Sequence, residues 1–162
     1  MAMNAVERQR LKEIMSDPIM WAQAFLKTFD PKSKKIVPWI ARWYQVEMMR
    51  DRHTKKVYRC GRRIGKTETM VVEMLWQAFT NRNFRILMAA PYENQIRNMF
   101  TRLNELIDES PLVKSQIKSR TKNPYKIEFN NGSMILGFTT GDDASSIRGQ
   151  RADLSYNLPV AC

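Results

Sequence analysis

The stretch of this chain best equipped for chemistry is Gly61-Arg62-Arg63-Ile64-Gly65-Lys66-Thr67. Glycines let the backbone curl so that successive amides face one anion. The lysine adds a point charge for outer phosphates, and the threonine hydroxyl can hold Mg²⁺. A helix that begins at the loop contributes its positive N-terminal dipole. The chemistry implied is the binding of nucleotide phosphates. In the common G-x-x-x-x-G-K-[ST] pattern the first glycine falls at residue 60, which here is Cys60. Gly61 and Gly65 remain, and two arginines fill the loop between them.

Such a loop needs a strand to present it and a helix to start from it. Lys56 to Cys60 reads as a buried strand. From about Glu68 to Thr80, Met70, Val71, Met74, Leu75 and Ala78 recur at helical spacing. A second strand, Phe84 to Ala90, ends at Pro91 and gives way to a helix through about Ile107. Strand, loop, helix, strand, helix predicts a parallel sheet covered by helices. Upstream, Val6, Leu11, Ile14 and Met15 suit a helix, and Ser16-Asp17-Pro18 starts another whose body is IMWAQAFLKTF. Asp30 to Lys35 reads as a loop, and Pro38 opens a further short helical stretch. After Pro124, Tyr125 to Phe129 alternates, Asn130-Asn131-Gly132 turns and Ser133 to Phe138 returns, which is a hairpin signal. Thr139 to Gln150 is a loop rich in Gly, Asp and Ser.

The 27 Lys and Arg against 16 Asp and Glu give a net charge of +11, which suits a partner built of phosphates. The basic bunches at Arg50 to Lys66 and Lys114 to Lys126 serve equally well as solvated faces. At 162 residues the chain can bury a core of its own. No apolar run approaches the roughly 20 residues of a membrane span. The N-terminus mixes charges through its apolar positions, unlike a secretory signal. Two cysteines, Cys60 and Cys162, and one histidine, His53, offer neither a disulfide framework nor metal-ligand spacing. A reducing, intracellular setting is the expectation.

The arginine-bearing loop resembles the P-loop of phage terminase large subunits, the DNA-packaging motors, and the resemblance extends over most of the chain. Trp43-Tyr44-Gln45 is similar to the family's adenine-recognition segment. Ile86 to Pro91, with Gln95, is similar to a second-strand motif shared by terminases and helicases. Gly141 to Asp153 resembles the segment leading into the Walker B strand. The resemblance implies an α/β fold: a three-layer αβα P-loop NTPase, RecA-like, with a mostly parallel sheet, incomplete here. It implies ATP and Mg²⁺ as cofactors. Gln45 would meet the base edge, although a helical glutamine is as readily a solvent-facing one. Gly61, Arg62, Arg63, Ile64, Gly65 and Lys66 would surround the phosphates, and Thr67 would hold the metal. Lys66, Arg62 and Arg148 would act in catalysis. Arg62 would work within the subunit, with Arg63 as a stand-in. Arg148 would reach the ATP of a neighbour in a ring, with Arg151 second. The implied partners are double-stranded DNA, the portal protein, the small terminase subunit and further copies of the chain. The implied place is the cytoplasm of an infected bacterium, not the mature virion, with no membrane.

The match breaks after Arg151-Ala152-Asp153-Leu154. Terminases continue with an apolar strand ending in Asp-Glu, and the register puts Leu158 and Pro159 there. The expected organisation is a helical lead-in over 1–35, a partial P-loop ATPase domain over 36–154 and a divergent tail over 155–162. In the family's sheet, the strand that feeds the P-loop sits beside one that follows Walker B. The strand at Lys56 to Cys60 is therefore expected to lack a neighbour, and the chain to be marginally stable. The expectation is ATP binding without hydrolysis by this chain, whose full-length form would couple hydrolysis to DNA translocation. A helicase-like P-loop ATPase and a non-catalytic subunit binding ATP or DNA stay open as alternatives. A small-molecule kinase ranks last, since nothing resembles a substrate lid.

Overall fold

The computed structural model describes residues 4–61, 63–140 and 151–158. Local caps start the first two helices. Asn4 accepts the Glu7 amide at 2.8 Å while the Glu7 carboxylate accepts the Asn4 amide at 2.9 Å, a reciprocal cap that opens α1 (Ala5–Ser16). Asp17 accepts the Ile19 and Met20 amides and so opens α2 (Pro18–Phe25), whose first residue has no amide to satisfy. Burial raises the Asp17 carboxyl, but the Met20 amide, Arg50 and the Ile19 amide outweigh it and hold the group below its ordinary value. Helix α1 buries no residue, whereas α2 buries Ile19, Trp21 and Ala22.

The helix expected to run on to Phe29 ends sooner. Leu26 is already extended, and β1 (Lys27–Asp30) pairs antiparallel with β2 (Lys35–Pro38). Distant acceptors replace the helical ones: the Lys27 amide donates to Ser110 Oγ and the Phe29 amide to the Glu109 carboxylate, both at 2.9 Å. Pro38 thus closes a strand, and the following helix, α3 (Trp43–Arg50), starts later than expected.

The helix α4 (Lys66–Thr80), the strand β3 (Arg85–Ala90) and the helix α5 (Glu93–Glu109) lie where the periodicity puts them. They are followed by α6 (Pro111–Ser115), β4 (Ile117–Lys122), β5 (Tyr125–Phe129), β6 (Met134–Thr139) and β7 (Leu154–Asn157). These last strands and β3 form a five-stranded sheet in the order β4-β5-β6-β3-β7. Strand β3 runs parallel to both β6 and β7, while β4, β5 and β6 alternate in direction. The fold is α/β with a mixed sheet, parallel at its centre. Register sets Ile86 beside Ile135 and Met88 beside Gly137. These positions are buried against α5, which crosses β6 so closely that a Cβ at Gly137 would stand 2.7 Å from Ile96 Cγ2 and Phe100 Cε2.

Helix α4 touches α2, α3, α5, β3 and β6. Its Val71, Val72, Met74, Leu75 and Ala78 are fully buried, consistent with a helix surrounded by other elements. The turn between β5 and β6 docks on its C-terminal end. Asn131 Nδ2 donates to the carbonyls of Ala78 and Asn81 at 2.8 Å, and Ser133 Oγ donates to Asn81 at 2.7 Å. Terminal carbonyls that no amide of the helix can reach are thereby satisfied.

The expected strand at Lys56 to Cys60 does not form. A strand exists only by pairing, and this segment joins no ladder with any described strand. Its side chains hold it instead. Lys56 Nζ lies 3.4 Å from Glu73, Tyr58 donates to the Met48 carbonyl at 2.9 Å, and Val57 is 96% exposed. Among the described residues, β7 at the sheet edge pairs with β3 alone.

Replacing Gly137 by alanine should lower stability by about 1–3 kcal/mol, because the new methyl overpacks the contact between α5 and β6. A thermal melt superimposable on that of the parent would show that Ile96 and Phe100 can step aside at no cost.

Candidate functional site

Gly65 ends the loop at φ +88°, in the left-handed region where a side chain is strained. It is also the N-cap of α4, and as a glycine it offers no side-chain cap. Among the described residues no side chain accepts the first-turn amides of α4, and the helix dipole adds to their pull on an anion. Arg63 shares the left-handed conformation at φ +60°, a costly state for a residue with a Cβ and one that clusters at functional sites.

Residues far from the loop hold it in this shape. The Tyr44 hydroxyl donates to the Ile64 carbonyl and accepts from Arg42 Nη1 at 2.9 Å. Gln45 is 4% exposed, which removes the solvent-facing alternative for it. Its side-chain oxygen accepts the Arg42 amide at 2.9 Å, and its nitrogen lies 3.5 Å from the Gly65 carbonyl. Thr69 Oγ1 donates to the same carbonyl at 3.0 Å. Lys66 Nζ donates to the Cys60 carbonyl at 3.2 Å, so the lysine folds back over its own loop.

The result is a cleft of about 410 Å³, lined by Arg63 to Glu68 and by Arg102. Small-molecule sites commonly fall in the range of about 300–1,000 Å³. Thr67 is exposed at this cleft. Of the residues singled out in the sequence, the fold brings together Arg63, Ile64, Gly65, Lys66 and Thr67, with Gln45 beside them. Gly61 lies in the described loop but does not line the cleft. Arg62 and Arg148 lie outside the described residues. Arg151 is exposed, sits 3.8 Å from Asp153 and does not line the cleft. Among the described residues, no group of three or more His, Cys, Asp or Glu could hold a metal.

Two lining residues escaped the sequence reading. Glu68 accepts from Arg102 Nε at 2.6 Å, from Arg102 Nη2 at 2.8 Å and from Trp39 Nε1 at 2.9 Å. Arg102 also donates to Glu105 and to Thr28 Oγ1, each at 2.9 Å. The hydrogen bonds that Arg102 donates to Glu68 raise its guanidinium above its already high ordinary value. Glu68 had a local signal, since it directly follows Lys66-Thr67. Arg102 had none, because only the packing of α5 on α4 brings it to the loop.

The family described as "Terminase large subunit, T4likevirus-type, N-terminal" matches residues 57–157. The matched residues include Leu154 to Asn157, which form β7. No curated protein matches the chain by sequence. Among solved structures, the chain is similar to the large terminase ATPase domain of Thermus phage P74-26. That match has a TM-score of 0.63 and 19% identity, over 74% of this chain and 53% of the other. It is also similar to the large terminase of bacteriophage HK97, with a TM-score of 0.71 and 13% identity, over 88% of this chain and 30% of that one. The chain thus spans about half the length of the first structure and under a third of the second. At these identities the likeness speaks for the fold, and the RecA-like α/β class expected from sequence stands.

Substituting Tyr44 by phenylalanine should free the Ile64 carbonyl, lowering stability by about 0.5–1.5 kcal/mol. Amide hydrogen exchange over Arg63 to Lys66 should then speed up more than exchange in the middle of α4. Equal changes in both places would mean that Tyr44 does not hold the loop.

Proposed function

This chain belongs to the terminase large-subunit family, N-terminal part, and we propose on that footing that the cleft at the start of α4 binds ATP with Mg²⁺. The observation that carries the proposal is the N-terminus of α4, uncapped by any described side chain and entered through a left-handed Gly65 with Lys66 beside it. First-turn amides without a side-chain acceptor are what a phosphate chain requires. Lys66, whose ammonium donates to the Cys60 carbonyl here, would hold the outer phosphates. The Thr67 hydroxyl, exposed at the cleft, would hold the metal ion, whose charge would offset that of the phosphates. Gln45 sets the loop through Gly65 and keeps one amide hydrogen for the base edge.

The wider proposal is that a longer protein containing this domain couples ATP hydrolysis to translocation of double-stranded DNA. Its partners would be the portal, the small terminase subunit and further copies in a ring. Arg62 would then act within the subunit and Arg148 on a neighbour's nucleotide. Hydrolysis also needs a group to position the attacking water. Glu68 is the carboxylate that lines the described cleft, and hydrogen bonds to Arg102 and Trp39 occupy both of its oxygens. The proposed behaviour of this chain is therefore nucleotide binding without turnover.

Calorimetric titration with Mg·ATP should give saturable binding that Lys66→Ala weakens about 10- to 100-fold, the worth of one charged hydrogen bond. Equal affinities for the two proteins would sink the assignment of the cleft. Phosphate release above background that disappears in Lys66→Ala would overturn the expectation of binding alone.

A further inference from the structure

Glu68 stands where a carboxylate harms an anion site. It occupies the first turn of the helix whose N-terminus faces the cleft. A negative side chain there draws on the same amides and dipole that a phosphate needs. As the third residue of α4 it could turn back toward the N-cap amide, the usual habit of a glutamate at this position. Here it turns away instead, held by two bonds from Arg102 and one from Trp39. Both side chains are mostly shielded, at 20% and 25% exposure, so solvent screens the pair only in part.

Arg102 has few donors left for a ligand. Four of its five N–H groups are committed, to Glu68 twice and to Glu105 and Thr28 once each. Its contribution to the cleft is therefore exerted through Glu68. Thr28 belongs to β1 and Trp39 directly follows β2, so the same contacts tie that hairpin to the first turn of α4.

We infer that Arg102 is a positioning residue of the phosphate site: it neutralises Glu68 and holds it off the loop. Without it, Glu68 competes with bound phosphate for the α4 amides and for Lys66. This rests on the assignment of the cleft to ATP and deepens it by naming a competitor built into the site.

The test titrates Mg·ATP, Mg·ADP and AMP into the full chain and into Arg102→Gln, Glu68→Gln and the double variant, with a thermal melt of each. Arg102→Gln should weaken ATP roughly tenfold or more, the usual consequence of unpairing a shielded charge. The loss should shrink from ATP to ADP to AMP as the phosphate charge falls. Adding Glu68→Gln to Arg102→Gln should restore most of the ATP affinity, which a role confined to folding or a direct contact between Arg102 and phosphate does not allow. A double variant as weak as Arg102→Gln overturns the inference, and so does an Arg102→Gln protein that binds like the parent. If Arg102→Gln fails to fold, Glu68→Gln alone decides: it should bind ATP at least as tightly as the parent, and weaker binding counts against the inference. A parent chain that binds no ATP removes the cleft assignment and this inference together. Binding that depends on Lys66 but ignores Arg102 removes this inference alone.

Discussion

The two ends of α4 are treated in opposite ways, and the site follows from that asymmetry. At the C-terminal end, Asn131 and Ser133 reach in from the β5–β6 turn to satisfy its carbonyls. At the N-terminal end, Gly65 brings no side chain, and no side chain among the described residues caps the first turn. A helix end without such partners keeps its electrostatic demand for a ligand. The body of the helix can hold this arrangement because α2, α3, α5 and the sheet surround it. Its buried Val71, Val72, Met74 and Leu75 leave it little freedom to shift and fill its own N-terminus.

Support for the loop comes from four separate parts of the chain. Tyr44 and Gln45 on α3 engage the carbonyls of Ile64 and Gly65. Arg102 on α5 and Trp39 beyond β2 engage Glu68. Glu73, farther along α4, engages Lys56 in the segment that leads into the loop. Tyr58 in that segment has its hydroxyl pushed up to about 12 by burial, with the charge of Glu73 adding to the effect. The segment is thus fixed by its own Lys56 and Tyr58 side chains, which reach Glu73 on α4 and the Met48 carbonyl on α3. A net charge of +11 coexists with local balance, since acidic partners meet the basic groups nearest the cleft: Glu73 at Lys56, and Glu68 and Glu105 at Arg102.

Much of the frame around the loop was legible in the residues themselves. The start of α2 follows from Asp17-Pro18, α4 and α5 from helical periodicity, and the β5–β6 hairpin from alternation around Asn130-Asn131-Gly132. Caps, amphipathic faces and turns are set by neighbours a few positions apart, so a single chain displays them. The loop belongs to this class, and so does the family likeness that it carries. Strand β4 was not legible, because Ile-Lys-Ser-Arg-Thr-Lys has no apolar alternation and is a strand only through its pairing with β5.

What the tertiary structure alone decided depends on partners distant in sequence. Lys56 to Cys60 has the composition of a strand, yet no ladder among the described residues receives it, since strand formation is a property of a pair. Lys27 to Phe29 leaves the helix for a hairpin because Ser110 and Glu109 offer acceptors more than 70 residues away. Gln45 could be exposed or buried until the fold set it against Gly65. Arg102 had no mark of function until the packing of α5 on α4 brought its guanidinium to Glu68. The residue types at the loop determined by themselves which chemistry the site suits. The fold decided which charges that chemistry would meet, because electrostatic forces act through space, and the distances between these groups exist only once the helices and strands have packed.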